Sequence, residues 1–178
     1  ALFRKEQEVL ALVNQERRKA GLPPLRWNRE LTEAARSFAR ESAERPNDYC
    51  GHDDLSGGQP KDRMRRAGYT GLWASAENVV CGYVEPGEVI AGWLDSPDHR
   101  ANMLNGELRE AGVGYYRTAA GKGYVVLDLA NDPDYAPVVI NDEALSTTSP
   151  QVQLYLYDQD AGDDWQSVGP TREMMIAN

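Results

Sequence analysis

The chain has 178 residues, 28 acidic and 19 basic, with a formal net charge of −9 and an apolar fraction of 41%. That length supports one domain with a sizeable core, and the mixed composition excludes a collagenous or wholly disordered chain. The acidic balance argues against a nucleic-acid binder, and no apolar run approaches the ~20 residues of a membrane-crossing helix.

Residues 2–20 place Leu10, Val13 and Arg17 at helical spacing, with Val9 and Leu12 widening the stripe. Gly21 then reads as a C′ cap followed closely by Pro23. A second helix starts at the N-cap Asn28, with Glu30 in its first turn. Leu31, Ala34, Ala35, Phe38 and Ser42 form its inward face, and Pro46 stops it. Residues 47–59 read as a long polar loop, and residues 61–67 as a short basic helix. Arg63, Arg65 and Arg66 of that helix are expected to form a solvated face.

Residues 76–82 read as a strand with Glu77, Val79 and Cys81 on one face. A helix runs from Pro86 through Trp93, and Trp27 and Trp93 read as core. Ser96-Pro97-Asp98 opens the next helix: Ser96 as N-cap, Pro97 first in the helix, Asp98 favoured by the dipole. Strands at 111–117 and 123–130 flank a hairpin-like linker at 118–122. Helices first and strands later predict α+β layers rather than a βαβ series.

A boundary falls near 131–137, where Asn-Asp-Pro-Asp breaks an apolar run, giving units 1–133 and 134–178. In the second unit Arg172 alone opposes Asp134, Asp142, Glu143, Asp158, Asp160, Asp163, Asp164 and Glu173. Residues 138–140, 152–157 and 174–176 are its strand candidates. Val152, Leu154 and Leu156 alternate with Gln153, Tyr155 and Tyr157, the pattern of a half-buried strand. Three short strands make a poor independent core, so this unit either packs on the first or opens a longer β module. Its opening weakly resembles that of bacterial extracellular immunoglobulin-like modules.

The chain has two histidines, His52 and His99, both in polar, turn-rich settings. His99 lies in a first helical turn, where the dipole disfavours its protonation, and a neutral imidazole ligates metals or acts as a base. Glu77 lies between them in sequence, on a strand of small and apolar residues. Read by spacing alone, these three are either a site or two surface histidines and a satisfied glutamate.

Gly51-His52, Ala76-Glu77-Asn78-Val79 and the run Trp93-Leu94-Asp95-Ser96-Pro97-Asp98-His99-Arg100-Ala101-Asn102-Met103-Leu104 together resemble the CAP superfamily. This is the SCP-like domain of cysteine-rich secretory, antigen 5 and pathogenesis-related 1 proteins, here in the form of its bacterial extracellular branch. The likeness also takes in Leu12-Val13-Asn14, Arg17, Pro24-Leu25, Trp27-Asn28 and Gly112-Val113-Gly114, spanning roughly residues 6–131.

The resemblance implies a three-layer α-β-α sandwich with a small antiparallel sheet, followed by a short β-rich extension. It implies a cleft where two histidines meet two glutamates. His52, Glu77 and His99 match three of those positions, while Ser96 stands where the second glutamate is expected. Those three residues are the expected metal ligands for a weakly held Zn²⁺ or other divalent ion, or the catalytic residues of any activity. Glu77 has an alternative role, holding one imidazole tautomer. Ser96, Asp98 and Asn102 are candidate ligand contacts, although Ser96 and Asp98 also suit capping, and Arg100 and Asn102 suit loop bracing.

Cys50 and Cys81 flank the segments that carry His52 and Glu77, which the family fold brings together. A disulfide between them is preferred over Cys50 as a nucleophile. It fits a secreted or surface location, and the opening Ala-Leu-Phe-Arg-Lys is taken to follow a leader already removed. Tyr69 and Trp73 are candidates for a carbohydrate or lipid groove. The leading expectation is an extracellular module that binds a small molecule, lipid or partner through the His/Glu cleft. The alternatives are a metal-assisted hydrolase acting on a peptide or cell-wall polymer, and a structural module with a vestigial cleft.

Overall fold

The computed structural model describes residues 2–46, 49–83, 85–134, 137–143, 148 and 151–157. Its main body orders α1 (Leu2–Lys19), β1 (Arg26–Trp27), α2 (Arg29–Glu44), α3 (Pro60–Arg66), β2 (Ala74–Cys81), α4 (Pro86–Asp95), α5 (Pro97–Met103), β3 (Glu110–Arg117) and β4 (Gly123–Asn131). The four strands form one sheet in the order β1-β3-β4-β2. The long pairings are antiparallel, and the two-residue β1, which the periodicity does not reveal, adds parallel to β3.

Three layers result. On one face of the sheet lies α2, whose apolar side buries Leu31, Ala34, Ala35, Phe38 and Ala39. Asn28 caps it, its side-chain oxygen accepting from Leu31 N at 2.9 Å. The close approach depends on two glycines: a Cβ at Gly112 would sit 2.1 Å from Thr32 N, and one at Gly114 2.2 Å from the Ala35 carbonyl carbon. The other face packs Val125, Leu127 and Leu129 against Val9, Leu10 and Val13 of α1 and Val89, Ile90 and Trp93 of α4.

Arg17 is fully buried near the end of α1. Its guanidinium donates to the carbonyls of Pro23, Met103, Asn105 and Leu108, tying the connection after α1 to the one between α5 and β3. Burial lowers its pKa from the ordinary arginine value.

The last described segments are β5 (Val138–Ile140), a 3-10 turn at Asn141–Glu143 and β6 (Leu154–Leu156), with β5 and β6 paired antiparallel. The alternation expected there is not kept, since Gln153 is exposed like Val152 and Leu154, and Leu156 is half-buried like Tyr155 and Tyr157. Val152 and Leu154 face solvent, while Tyr157 turns inward and donates to Pro24 O at 2.7 Å. The phenol hydrogen bond and the Arg109 guanidinium 5.5 Å from the Tyr157 ring hold that tyrosine inward. The strand candidate at 174–176 lies outside the described residues.

Candidate functional site

Glu77 sits in the middle of β2, an edge strand, on the face covered by α2. Its side chain is 1% exposed, and both carboxylate oxygens are engaged. Oε1 accepts from His52 Nδ1 at 2.8 Å, and Oε2 accepts from the Arg63 guanidinium. A carboxylate that only accepts fixes His52 with its proton on Nδ1, leaving Nε2 as the second nitrogen of a half-exposed ring.

Arg63 corrects the expectation of a solvated basic face. It is buried, its guanidinium lies 3.7 Å above the Phe38 ring, and Nη1 donates to His52 O at 2.7 Å. Sequence spacing does not mark it off from Arg65 and Arg66. Only the packing of α3 across α2 and the end of the 52–58 loop turns it inward. Arg66 instead pairs with Asp54, whose carboxylate also accepts from Ser56 and Gly58 and is held well below the usual carboxylate range by those bonds.

A second buried acid lies beside the first. Asp128 of β4 pairs directly with Glu77 across the ladder and is fully buried, its carboxyl within hydrogen-bonding reach of the Glu77 carboxylate. Burial, and then the charge of Glu77, push its carboxyl well above the ordinary value, favouring the neutral acid. A lone aspartate inside the apolar run of β4 was a readable signal for it.

The loop carrying His52 is anchored on both sides. Cys50 and Cys81 form a disulfide, as expected, so Cys50 carries no free thiol. Arg45 stacks 4.1 Å over the Tyr49 ring, whose hydroxyl accepts from Asp53 N at 3.0 Å.

From the other side α5 covers the free edge of β2. Asn78 donates to His99 O at 2.8 Å, and Asn102 donates to Asn78 Oδ1 at 3.0 Å and to Glu77 O at 3.3 Å. Asn102 thus braces the histidine helix, the bracing role open to it from sequence. Ser96 has the extended backbone of an N-cap, but its hydroxyl makes no capping bond. Asp98 is exposed in the first turn of α5.

The two imidazoles interact electrostatically and shift in opposite directions. The hydrogen bond to Glu77 raises His52 above the ordinary histidine value, against burial. Burial, and then His52, lower His99. The direction expected for His99 holds, with burial as its main cause. No group of three His, Cys, Asp or Glu side chains meets as a metal centre among the described residues. With both Glu77 oxygens committed, the expected set supplies only two imidazoles, which does not fit a three-ligand site.

Residues 10–129 match the family described as cysteine-rich secretory protein family, CAP. The chain belongs to the CAP family. The CAP domain is 34% identical over 115 residues to the uncharacterized protein YkwD of Bacillus subtilis, covering 65% of this chain and 44% of YkwD. It is 33% identical over 112 residues to the uncharacterized membrane protein YlbC of the same organism, covering 63% of this chain and 32% of YlbC. The chain therefore spans less than half the length of either curated relative. A crystal structure of an extracellular protein containing a SCP domain from Bacillus anthracis superposes with a TM-score of 0.64 at 26% identity, covering 71% of this chain and 40% of that one.

Proposed function

We propose that this CAP domain is a secreted or surface-exposed module that binds a small molecule, lipid or partner group through the cleft of His52 and His99, with Glu77 acting through His52. The observation that supports this reading is the preset imidazole. A buried Glu77, itself neutralised by Arg63, fixes the His52 tautomer and offers Nε2 from a ring 48% exposed. A histidine with no role beyond the surface needs no such support. The extracellular placement rests on the disulfide and on the extracellular SCP-domain relative. No described helix is long and apolar enough to cross a membrane.

A divalent ion would be held by the two imidazoles and water alone, as an occasional occupant rather than a resident cofactor. The test is a thermal-shift titration of metal-stripped protein with Zn²⁺ and, separately, with a medium-chain fatty acid, beside the His52→Ala/His99→Ala variant. Binding raises the wild-type Tm according to RT ln(1 + [L]/Kd) and leaves the variant unmoved. Equal behaviour of the two proteins with both probes would remove the reading in favour of a vestigial cleft.

Hydrolysis of a peptide or cell-wall polymer is a second reading, favoured by the His52–Glu77 dyad, which has the form of a base and its orienting acid. It requires turnover that Glu77→Gln abolishes in a folded protein.

A further inference from the structure

A second concave site lies at the opposite edge of the sheet from Glu77, where β1, the start of α2, the turn after α3 and the start of β3 meet. Its volume is about 460 Å³, within the range of small-molecule sites. Glu110 lines it from a buried position. Its Oε2 accepts from the Tyr69 hydroxyl at 2.7 Å, and its Oε1 accepts from Asn28 Nδ2 at 3.0 Å. Each oxygen keeps a further lone pair for a donor. The Asn28 amide cannot turn, because its oxygen caps α2.

The rim is polar on both sides. Thr70 and Asp132 line one part, and Gly71 at φ 66° lets Asp132 approach where a Cβ would lie 2.1 Å from its carboxylate. Arg26 and Arg29 line another part, and their guanidiniums are already paired with Glu143 and Glu33. The cations are thus pre-compensated, which removes the attraction an anionic ligand would need. A cation is the competing occupant, because Glu30, Glu110 and Asp132 all line the groove, and the putrescine control below decides between the two. No three acidic groups converge as metal ligands among the described residues. A neutral ligand rich in hydroxyls, each both donor and acceptor, satisfies carboxylates and guanidiniums together, while the half-buried Trp27 offers aromatic surface.

We propose that this groove binds an uncharged sugar, with Glu110 and Asn28 as its central hydrogen-bonding pair. The site is separate from the histidine cleft, so each stands or falls alone.

The test is an amide and indole NMR titration of the whole chain with maltotriose and with tri-N-acetylchitotriose, using putrescine as a cationic control. At least one saccharide gives saturable shifts at Trp27, Asn28 and Thr70, with a Kd on the order of 1 mM. Glu110→Gln weakens binding about tenfold, the effect of losing a hydrogen bond to a charged group. Thr70→Val, at an exposed position that the fold does not need, weakens it as well. His52→Ala/His99→Ala binds as the wild type does. Absence of saturable shifts at these residues with both saccharides at ~20 mM overturns the proposal. So do shifts insensitive to both groove variants, shifts lost in the histidine variant, or a response to putrescine alone.

Discussion

Replacing Arg63 with methionine keeps an apolar stem over Phe38 and removes every guanidinium donor. The change strips Glu77 Oε2 of its partner and removes the bonds to His52 O at 2.7 Å and Gly58 O at 3.2 Å. The Arg63 and Glu77 side chains are 5% and 1% exposed, so water does not replace what is lost. Breaking a buried pair by removing one partner costs about 3–5 kcal/mol. For a domain of this size that lowers Tm by roughly 6–20 °C. Urea unfolding followed by far-ultraviolet circular dichroism reads the change as a lower midpoint at unchanged slope. Because the cost is largely that of an uncompensated carboxylate, Arg63→Met combined with Glu77→Gln loses less than the sum of the two single variants. A single-variant cost below ~1 kcal/mol, the range of an exposed ion pair, would refute the reasoning. Additivity within ~0.5 kcal/mol would refute it equally.

The two histidines titrate on opposite sides of 6.5 by imidazole NMR, His52 above and His99 below, and Glu77→Gln removes the rise at His52. The His52 contribution to stability is therefore complete below 6.5 and lost as pH rises through its folded value, whereas that of His99 is present above 6.5 and lost on acidification. Asp128→Asn, which keeps the shape of a neutral acid, raises the urea midpoint at pH 7 relative to wild type. That advantage disappears below about pH 3.8, where the wild-type carboxyl is protonated whether folded or unfolded; a lower midpoint at pH 7 would contradict the assignment. Cys50→Ser/Cys81→Ser costs ~3–4 kcal/mol by the chain-entropy argument for a separation of 31 residues. A loss under ~1 kcal/mol would mean that the other anchors of the 49–58 loop suffice without it.

Local signals in the chain carry α2 almost completely. Asn28 caps it, Glu30 sits in its first turn, and the inward residues recur at helical spacing. The family likeness, resting on separated motifs in one order, supplied the disulfide and pointed to His52, Glu77 and His99 as one cleft. Local reading failed where a residue's partner is distant. Nothing near Arg26 and Trp27 marks a strand, because β1 exists only through its pairing with β3, more than eighty residues on. The Ser96 hydroxyl matched a cap, yet it makes no capping bond.

What the sequence determined by itself is therefore the set of elements and the chemical types available: two imidazoles, one strand glutamate, two cysteines and a run of arginines. The tertiary structure decided which charges are buried and which are solvated. Arg63 and Arg66 lie three residues apart on one short helix, yet one is buried against Glu77 and Phe38 and the other, itself exposed, reaches the buried Asp54 from outside. Periodicity places a side chain on a helix face, but the free energy of a charge depends on what crosses that face from elsewhere in the chain. For the same reason Glu77, open in sequence to being a ligand, has both oxygens spoken for by Arg63 and His52, with Asp128 at its side on the neighbouring strand.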